Sequence, residues 1–150
     1  DTDAFVGRDA FSVTVSTVGS SQLAQIDFTP NVGDGTLWDL SVGVNGTAVS
    51  GTLATVQSNS GYIFQMDFGP TATVFSYGAQ GGLADVVFGS RSAVSSFDLG
   101  EIAMTHTPVA PAGTSANTLV FDNIEAIPIP EPSSSLLILL GLGVLGRRRR

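Results

Sequence analysis

The side chains that most often carry catalysis are scarce in this sequence. His106 is the only histidine, cysteine is absent, and glutamate occurs only at Glu101, Glu125 and Glu131. Sandwich glycosidases work with paired carboxylates, typically in an E-x-D-x-x-E arrangement on one strand, whereas these glutamates lie in three separate segments. The threonines on both sides of His106 in "MTHTP" favour a surface loop histidine over a catalytic base. We therefore expect no enzymatic activity.

Calcium is the one ion whose preferred ligands are present. Carboxylate and amide oxygens recur in short polar turns, at Asp1, Asp3, Asn31, Asp34, Asp122 and Asn123. The adjacent pair Asp122 and Asn123 is the candidate calcium site, although no complete ligand loop surrounds it. Asp and Asn side chains in turns also cap backbone groups without any metal, so the structural interpretation stays open. No other cofactor is expected.

Trp38 and Tyr62 are the two aromatic residues best suited to stack on a sugar ring. Their planar rings carry a polar tip, as the aromatic residues of carbohydrate-binding surfaces do. Both also fall at regular apolar positions of alternating segments, which is typical of core packing. The sequence alone leaves sugar stacking and core packing both open, and it favours core packing.

Basic residues are almost confined to the end of the chain. Only Arg8 and Arg91 precede residue 147, and the sequence then closes with four arginines, Arg147, Arg148, Arg149 and Arg150. Residues 1–146 thus hold two basic residues against thirteen acidic ones, a formal net charge of −11. Such a surface repels a phosphate backbone, so we expect no nucleic-acid partner.

Apolar and polar residues alternate with period two along most of the chain, which predicts strands. The runs are "AFSVTVSTV", Leu23–Phe28, "LWDLSVGV", Leu53–Gln57, "GYIFQMDF", "TATVFSY", Leu83–Phe88, Ser96–Met104 and Thr118–Ile127. Asn45-Gly46 predicts a type I′ hairpin turn, which accounts for the Asn45-Gly46-Thr47 glycosylation sequon without modification. Nine short runs without an amphipathic helix predict an all-β, antiparallel, jelly-roll-like β-sandwich over residues 1–127.

The stretches "LSVGVNGTAV" and "TLVFDNIEAI" resemble parts of the concanavalin A-like and laminin G-like jelly rolls of bacterial surface proteins. This resemblance implies a jelly-roll fold, and three functions stay open for the domain. The first is a non-enzymatic structural or binding domain, the second a carbohydrate-binding, lectin-like module. The third is a fragment of a glycan hydrolase whose active site lies in sequence upstream of Asp1, where we also expect an export signal.

The tail after residue 127 has three chemically distinct parts. Prolines in "AIPIPEP" favour an extended, accessible backbone, which suits a protease site. Residues 133–146 carry no charge and predict a short hydrophobic helix. The arginines that follow, Arg147, Arg148, Arg149 and Arg150, would form a stop that stays in the cytoplasm. Fourteen helical residues span about 21 Å, less than the roughly 30 Å of a bilayer core, so a permanent anchor would be weak.

Pro130, Glu131 and Pro132, followed by a Leu/Gly-rich run and the terminal arginines, resemble the PEP-CTERM sorting signal of bacteria that make extracellular polysaccharide. The resemblance implies export, transient anchoring in the cytoplasmic membrane through residues 128–150, and recognition and processing by an exosortase. The protein would then reside in the cell envelope or the extracellular matrix, where polysaccharide is a candidate partner. A plain C-terminal membrane anchor is the alternative, but it leaves the Pro-Glu-Pro unexplained.

Overall fold

The computed structural model describes residues 9–48, 51–107, 124, 125 and 127. Nine strands and no helix lie in these residues. The strands are β1 (Ala10–Thr17), β2 (Gln22–Pro30), β3 (Leu37–Val44), β4 (Thr47–Ala48), β5 (Ala54–Gln57), β6 (Tyr62–Phe68), β7 (Ala72–Ala79), β8 (Val86–Ser92) and β9 (Leu99–Thr107). The prediction of an all-β protein is confirmed for this part of the chain.

The larger sheet contains six strands in the order β4-β3-β2-β1-β9, with β5 pairing beside β4 on the same edge of β3. All its pairings are antiparallel. The first strand therefore pairs with the last described one, so that Val15 lies opposite Ile102 although 87 residues separate them. This long-range pairing places β1 inside the larger sheet, between β2 and β9.

The smaller sheet contains three antiparallel strands in the order β6-β7-β8 and packs against the larger one. Phe64 of the smaller sheet meets Phe28 of the larger sheet edge to face, with ring centroids 5.0 Å apart. A Cβ at Gly89 would lie 3.1 Å from Cγ2 of Val42, so a glycine at this point of β8 lets the two sheets approach closely. The result is the predicted antiparallel β-sandwich.

Alternation of side chains along each strand builds the core. The predicted inward series of β1, namely Phe11, Val13 and Val15, does face the core, and Val15 is buried. The most completely buried large side chains of the described residues are Phe75, Leu23, Ile26, Leu40 and Val42. Burying apolar area is worth about 25 cal/mol per Å², so each of these side chains stabilises the sandwich.

The Asn45-Gly46 turn joins β3 to β4 as predicted. Asn45 has φ of 50° and Gly46 has φ of 74°, the left-handed pair that a type I′ turn requires. Asn45 also bonds across the molecule, because its side-chain amide donates to the carbonyl of Ala93 and its Oδ1 accepts the amide of Ser95. The turn thereby holds the crossover that leads from β8 towards β9.

Most predicted strands agree with the structure to within two residues at each end, and three do not. β8 begins at Val86 rather than Leu83, because the backbone of Leu83 crosses over Gly78, where a Cβ would lie 1.8 Å from the Leu83 carbonyl oxygen. β9 begins at Leu99 rather than Ser96, because Ser96 Oγ accepts the amide of Asp98 in a local turn. The predicted last strand, Thr118–Ile127, lies largely outside the described residues, and Ile124, Glu125 and Ile127 belong to no strand.

The chain divides into two compact units, Asp1–Thr118 and Leu119–Arg150. All nine strands of the described residues belong to the first unit. The boundary predicted after residue 127, between the sandwich and the tail, stays a prediction.

Candidate functional site

The residues of the predicted sorting signal lie outside the described part of the chain. This holds for Pro130, Glu131 and Pro132 and for the predicted hydrophobic helix. It holds equally for the four residues of the predicted cytoplasmic stop, Arg147, Arg148, Arg149 and Arg150. The structure therefore does not test the roles of these residues, which stay predictions.

Within the described residues no helix is long and apolar enough to cross a membrane. The other candidate side chains whose surroundings the structure describes lie in the nine strands or in the polar turn between β2 and β3. Any candidate site that the structure describes therefore lies in the sandwich.

Trp38 lies near the start of β3, opposite Pro30 of β2 and Val56 of β5. Its ring is half-buried, packs against the core cluster and meets Phe11 at a centroid distance of 5.6 Å. It thus occupies the rim of the core, where part of the ring still reaches solvent. Sugar stacking by Trp38 stays a prediction, and packing of the ring against the core is observed.

Tyr62 is the first residue of β6 and joins an aromatic group in the smaller sheet. Its ring lies 6.1 Å from Phe64 and 6.1 Å from Tyr77, measured between centroids. Its hydroxyl oxygen accepts the amide of Gln57 at 3.0 Å, which connects β6 to β5 of the other sheet. Trp38 and Tyr62 both pack against the same core cluster. Sugar stacking by Tyr62 likewise stays a prediction.

His106 forms the most chemically distinctive contact of the described residues. It lies in β9 rather than in the predicted loop, because β9 continues to Thr107 in register with β1. Its Nε2 is 2.7 Å from Oδ2 of Asp9, and its ring stacks on Phe11 at a centroid distance of 5.2 Å. Half of the His106 side chain is exposed, which leaves one side of the pair open to solvent.

The Asp9–His106 pair was not apparent in the sequence. The two residues are 97 positions apart, and only the pairing of β1 with β9 brings them together. The pair extends an aromatic row that runs from Trp38 through Phe11 to His106. A row of rings beside a carboxylate can bind a polar ligand that also has an apolar face.

The β2–β3 turn contains the described oxygen ligands that the sequence suggested for calcium. Asn31 Oδ1 accepts the amides of Gly33 and Asp34, and Asp34 Oδ1 accepts the amide and the hydroxyl of Thr36. These oxygens cap the turn themselves, as Asx side chains commonly do. Among the described residues no group of three or more His, Cys, Asp or Glu side chains is placed to hold a metal ion. Asp122 and Asn123 lie outside those residues, so calcium binding there stays a prediction.

Comparison with known proteins identifies the tail. The family model of the PEP-CTERM protein-sorting motif matches residues 128–150. This segment holds Pro130, Glu131 and Pro132 together with all four terminal arginines, Arg147, Arg148, Arg149 and Arg150. No curated protein and no solved structure matches the chain.

The protein therefore carries a sorting signal over residues 128–150. The signal is a PEP-CTERM motif, which implies export and processing by a membrane-embedded exosortase.

Proposed function

We propose that this protein is a non-enzymatic structural or binding component of a bacterial cell envelope or extracellular matrix. The observation that carries the proposal is the PEP-CTERM motif at residues 128–150. A signal of this kind holds an exported protein in the cytoplasmic membrane only until it is cut. The sandwich would then act outside the membrane, with extracellular polysaccharide as a candidate partner.

The weak predicted anchor supports a transient stage in the membrane. As the predicted helix, residues 133–146 would span about 21 Å, against a hydrocarbon core of roughly 30 Å. Local thinning of the bilayer and snorkelling of Arg147 towards the head groups would close part of this mismatch at a cost in free energy. Retention before cleavage then depends strongly on the arginines, which resist transfer across the membrane.

Replacing Arg147, Arg148, Arg149 and Arg150 with glutamine should weaken this retention. The four positive charges hold the C-terminus in the cytoplasm, and neutral glutamines leave the short apolar run without that stop. In pulse-labelled cells of the native host, we expect the fraction of uncut precursor in the membrane to fall by at least about half.

Arg91→Gln is the matched control, because it removes a positive charge outside the sorting motif. The control should be retained and processed like the wild type. Unchanged retention in the four-glutamine variant would contradict the role assigned to the arginines.

A carbohydrate-binding, lectin-like module is the second candidate function. The aromatic row Trp38, Phe11 and His106 favours it, with the Asp9 carboxylate beside the last ring. Aromatic faces stack on the apolar side of a sugar while a carboxylate accepts its hydroxyls. A neutral sugar fits better than an acidic one, since residues 1–146 carry a formal charge of −11.

Glycan-array binding tests this second candidate. The wild type should bind a neutral glycan, and Trp38→Ala should reduce the signal by about tenfold because it removes one stacking face. Trp38→Phe is the control, since it keeps a ring that stacks and packs against the core. Failure of the wild type to bind any glycan, or equal binding by the alanine variant, would rule out this site.

A further inference from the structure

The turn between β3 and β4 combines an asparagine, a following glycine and exposure to solvent. Asn45 and Gly46 are both exposed. A Cβ at Gly46 would meet no heavy atom within 4 Å, so the space beside this residue is open. Glycine hinders its own amide nitrogen least, because it has no side chain. An asparagine in this setting can lose its side-chain amide to attack by the backbone nitrogen of the next residue.

The reaction is an intramolecular substitution that needs only water. The Gly46 nitrogen attacks Cγ of Asn45 and forms a new N–Cγ bond, while the Cγ–Nδ2 bond breaks. Ammonia leaves with the proton of the Gly46 amide, and a cyclic imide remains. Water then opens the imide at either of its carbonyl groups, which converts Asn45 into aspartate or isoaspartate. The step consumes no oxidant or reductant.

The same side-chain amide holds the crossover between β8 and β9, residues 93–98. Its Nδ2 donates to the carbonyl oxygen of Ala93 at 3.0 Å, and its Oδ1 accepts the amide of Ser95 at 2.7 Å. Val94 lies between these two contacts in the chain, and its side chain is buried. We refer to the hydrogen bonds of the Asn45 side chain with Ala93 and Ser95 as the crossover clasp.

We propose that Asn45 is a site of spontaneous deamidation, and that this modification opens the crossover clasp irreversibly. An aspartate has no N–H donor for the Ala93 carbonyl, so a carboxylate oxygen would face that carbonyl oxygen instead. Two acceptors at hydrogen-bond distance repel each other, and the Ala93 carbonyl loses its partner. Isoaspartate disrupts the clasp further, because it adds a carbon atom to the backbone of the turn. This inference concerns the sandwich alone and is independent of sorting.

The clasp should also slow the reaction that destroys it. Its hydrogen bonds fix the plane of the Asn45 amide, whereas ring closure needs the Gly46 nitrogen above that plane and close to Cγ. The turn fixes the backbone at the same time, with φ of 50° at Asn45 and 74° at Gly46. Ring closure therefore proceeds from conformations in which the clasp is open, so the rate of deamidation depends on how often it opens. Once ammonia is lost, the clasp cannot re-form.

An open clasp should expose the crossover to proteases. With the clasp closed, the chain is held on both sides of the buried Val94. A protease cuts a folded chain in proportion to the population in which the cut segment is released. Phe97 lies in the same crossover with an exposed side chain, so chymotrypsin, which cuts after aromatic residues, has a target there.

The rate of deamidation tests the role of the clasp. The full chain is incubated in mildly alkaline buffer with non-ionic detergent, and mass spectrometry of its peptides follows the conversion of Asn45. We expect conversion to be at least about tenfold slower in the folded chain than in the chain unfolded by urea. Ser95→Pro removes the amide that Oδ1 accepts and should raise the folded-state rate at least about threefold. Ser95→Ala keeps that amide and is the matched control, with an unchanged rate.

Asn45→Asp tests the consequence of the modification directly. Under native conditions chymotrypsin should cut this variant after Phe97 at least about tenfold faster than the wild type. Asn59→Asp is the matched control, because Asn59 is also exposed and also has a left-handed backbone, with φ of 61°. This control introduces the same charge outside the clasp and should be cut like the wild type.

Four results would overturn the proposal. The first is no detectable conversion of Asn45 in the folded wild type, and the second is conversion as fast as in the unfolded chain. The third is equal conversion in the two Ser95 variants. The fourth is cleavage of Asn45→Asp after Phe97 no faster than that of Asn59→Asp, which would show that the modification leaves the crossover closed. If Ser95→Pro does not fold, the other three comparisons decide.

Discussion

Replacing Pro130, Glu131 and Pro132 with alanine is expected to leave the protein uncut in the cytoplasmic membrane. These residues lie within the PEP-CTERM motif, and a proline on each side of Glu131 is expected to favour an extended backbone. Three alanines favour a helix continuous with the apolar run, so the segment would lose the extended shape that a protease binds. Cell fractionation of the native host should find the wild type at the surface or in the matrix and the variant in the membrane.

The triple-alanine substitution is expected to abolish processing almost completely. Processed wild-type protein should outnumber its uncut precursor, whereas processed forms of the triple-alanine variant should fall to about a hundredth of the wild-type amount, as expected when an enzyme loses the residues that position its substrate. Pro108→Ala combined with Pro111→Ala is the matched control, since both prolines lie outside the matched segment. Normal processing of the triple-alanine variant would show that the Pro-Glu-Pro does not direct cleavage.

Phe75→Ala is expected to cause the largest loss of stability in the sandwich. Phe75 is fully buried at the centre of the smaller sheet, and its ring meets Phe88 at a centroid distance of 6.3 Å. Truncating a buried phenylalanine removes its transfer free energy and leaves a cavity, at a cost of about 3–5 kcal/mol. Total stabilities of small domains lie near 5–15 kcal/mol, so a large share of the folded state's stability would be lost.

The matched control for this substitution is Phe97→Ala, because Phe97 is 58% exposed. Its cost should stay below about 1 kcal/mol. Urea unfolding of the full chain in non-ionic detergent, followed by the fluorescence of the single tryptophan, Trp38, gives both values. Similar midpoints for the two variants would mean that the core is not centred on Phe75.

Most strands were predictable because alternation is a local property of the sequence. The inward series of β1 and the left-handed turn at Asn45-Gly46 depend only on neighbouring residues. The starts of β8 and β9 were not predictable in the same way. The Leu83 backbone lies close against Gly78, and Ser96 forms a local turn that competes with the strand.

Pairings between distant strands could not be predicted from the alternation of apolar and polar residues. The position of β9 beside β1 decides that His106 meets Asp9 and that Ile102 and Met104 remain exposed. Local alternation says which residues share a face, but it does not say which strand lies next or where a sheet ends. The sorting motif was predictable for the opposite reason, since its chemistry follows the order of residues along the chain.

The intact mass of the wild-type protein recovered from the surface and matrix of its native host tests the central claim most directly. If residues 128–150 are a sorting signal, the mature chain should end before the apolar run, and it should lack Arg147, Arg148, Arg149 and Arg150. Full-length protein that accumulates in the membrane with all four arginines present would contradict the account and would favour a plain anchor.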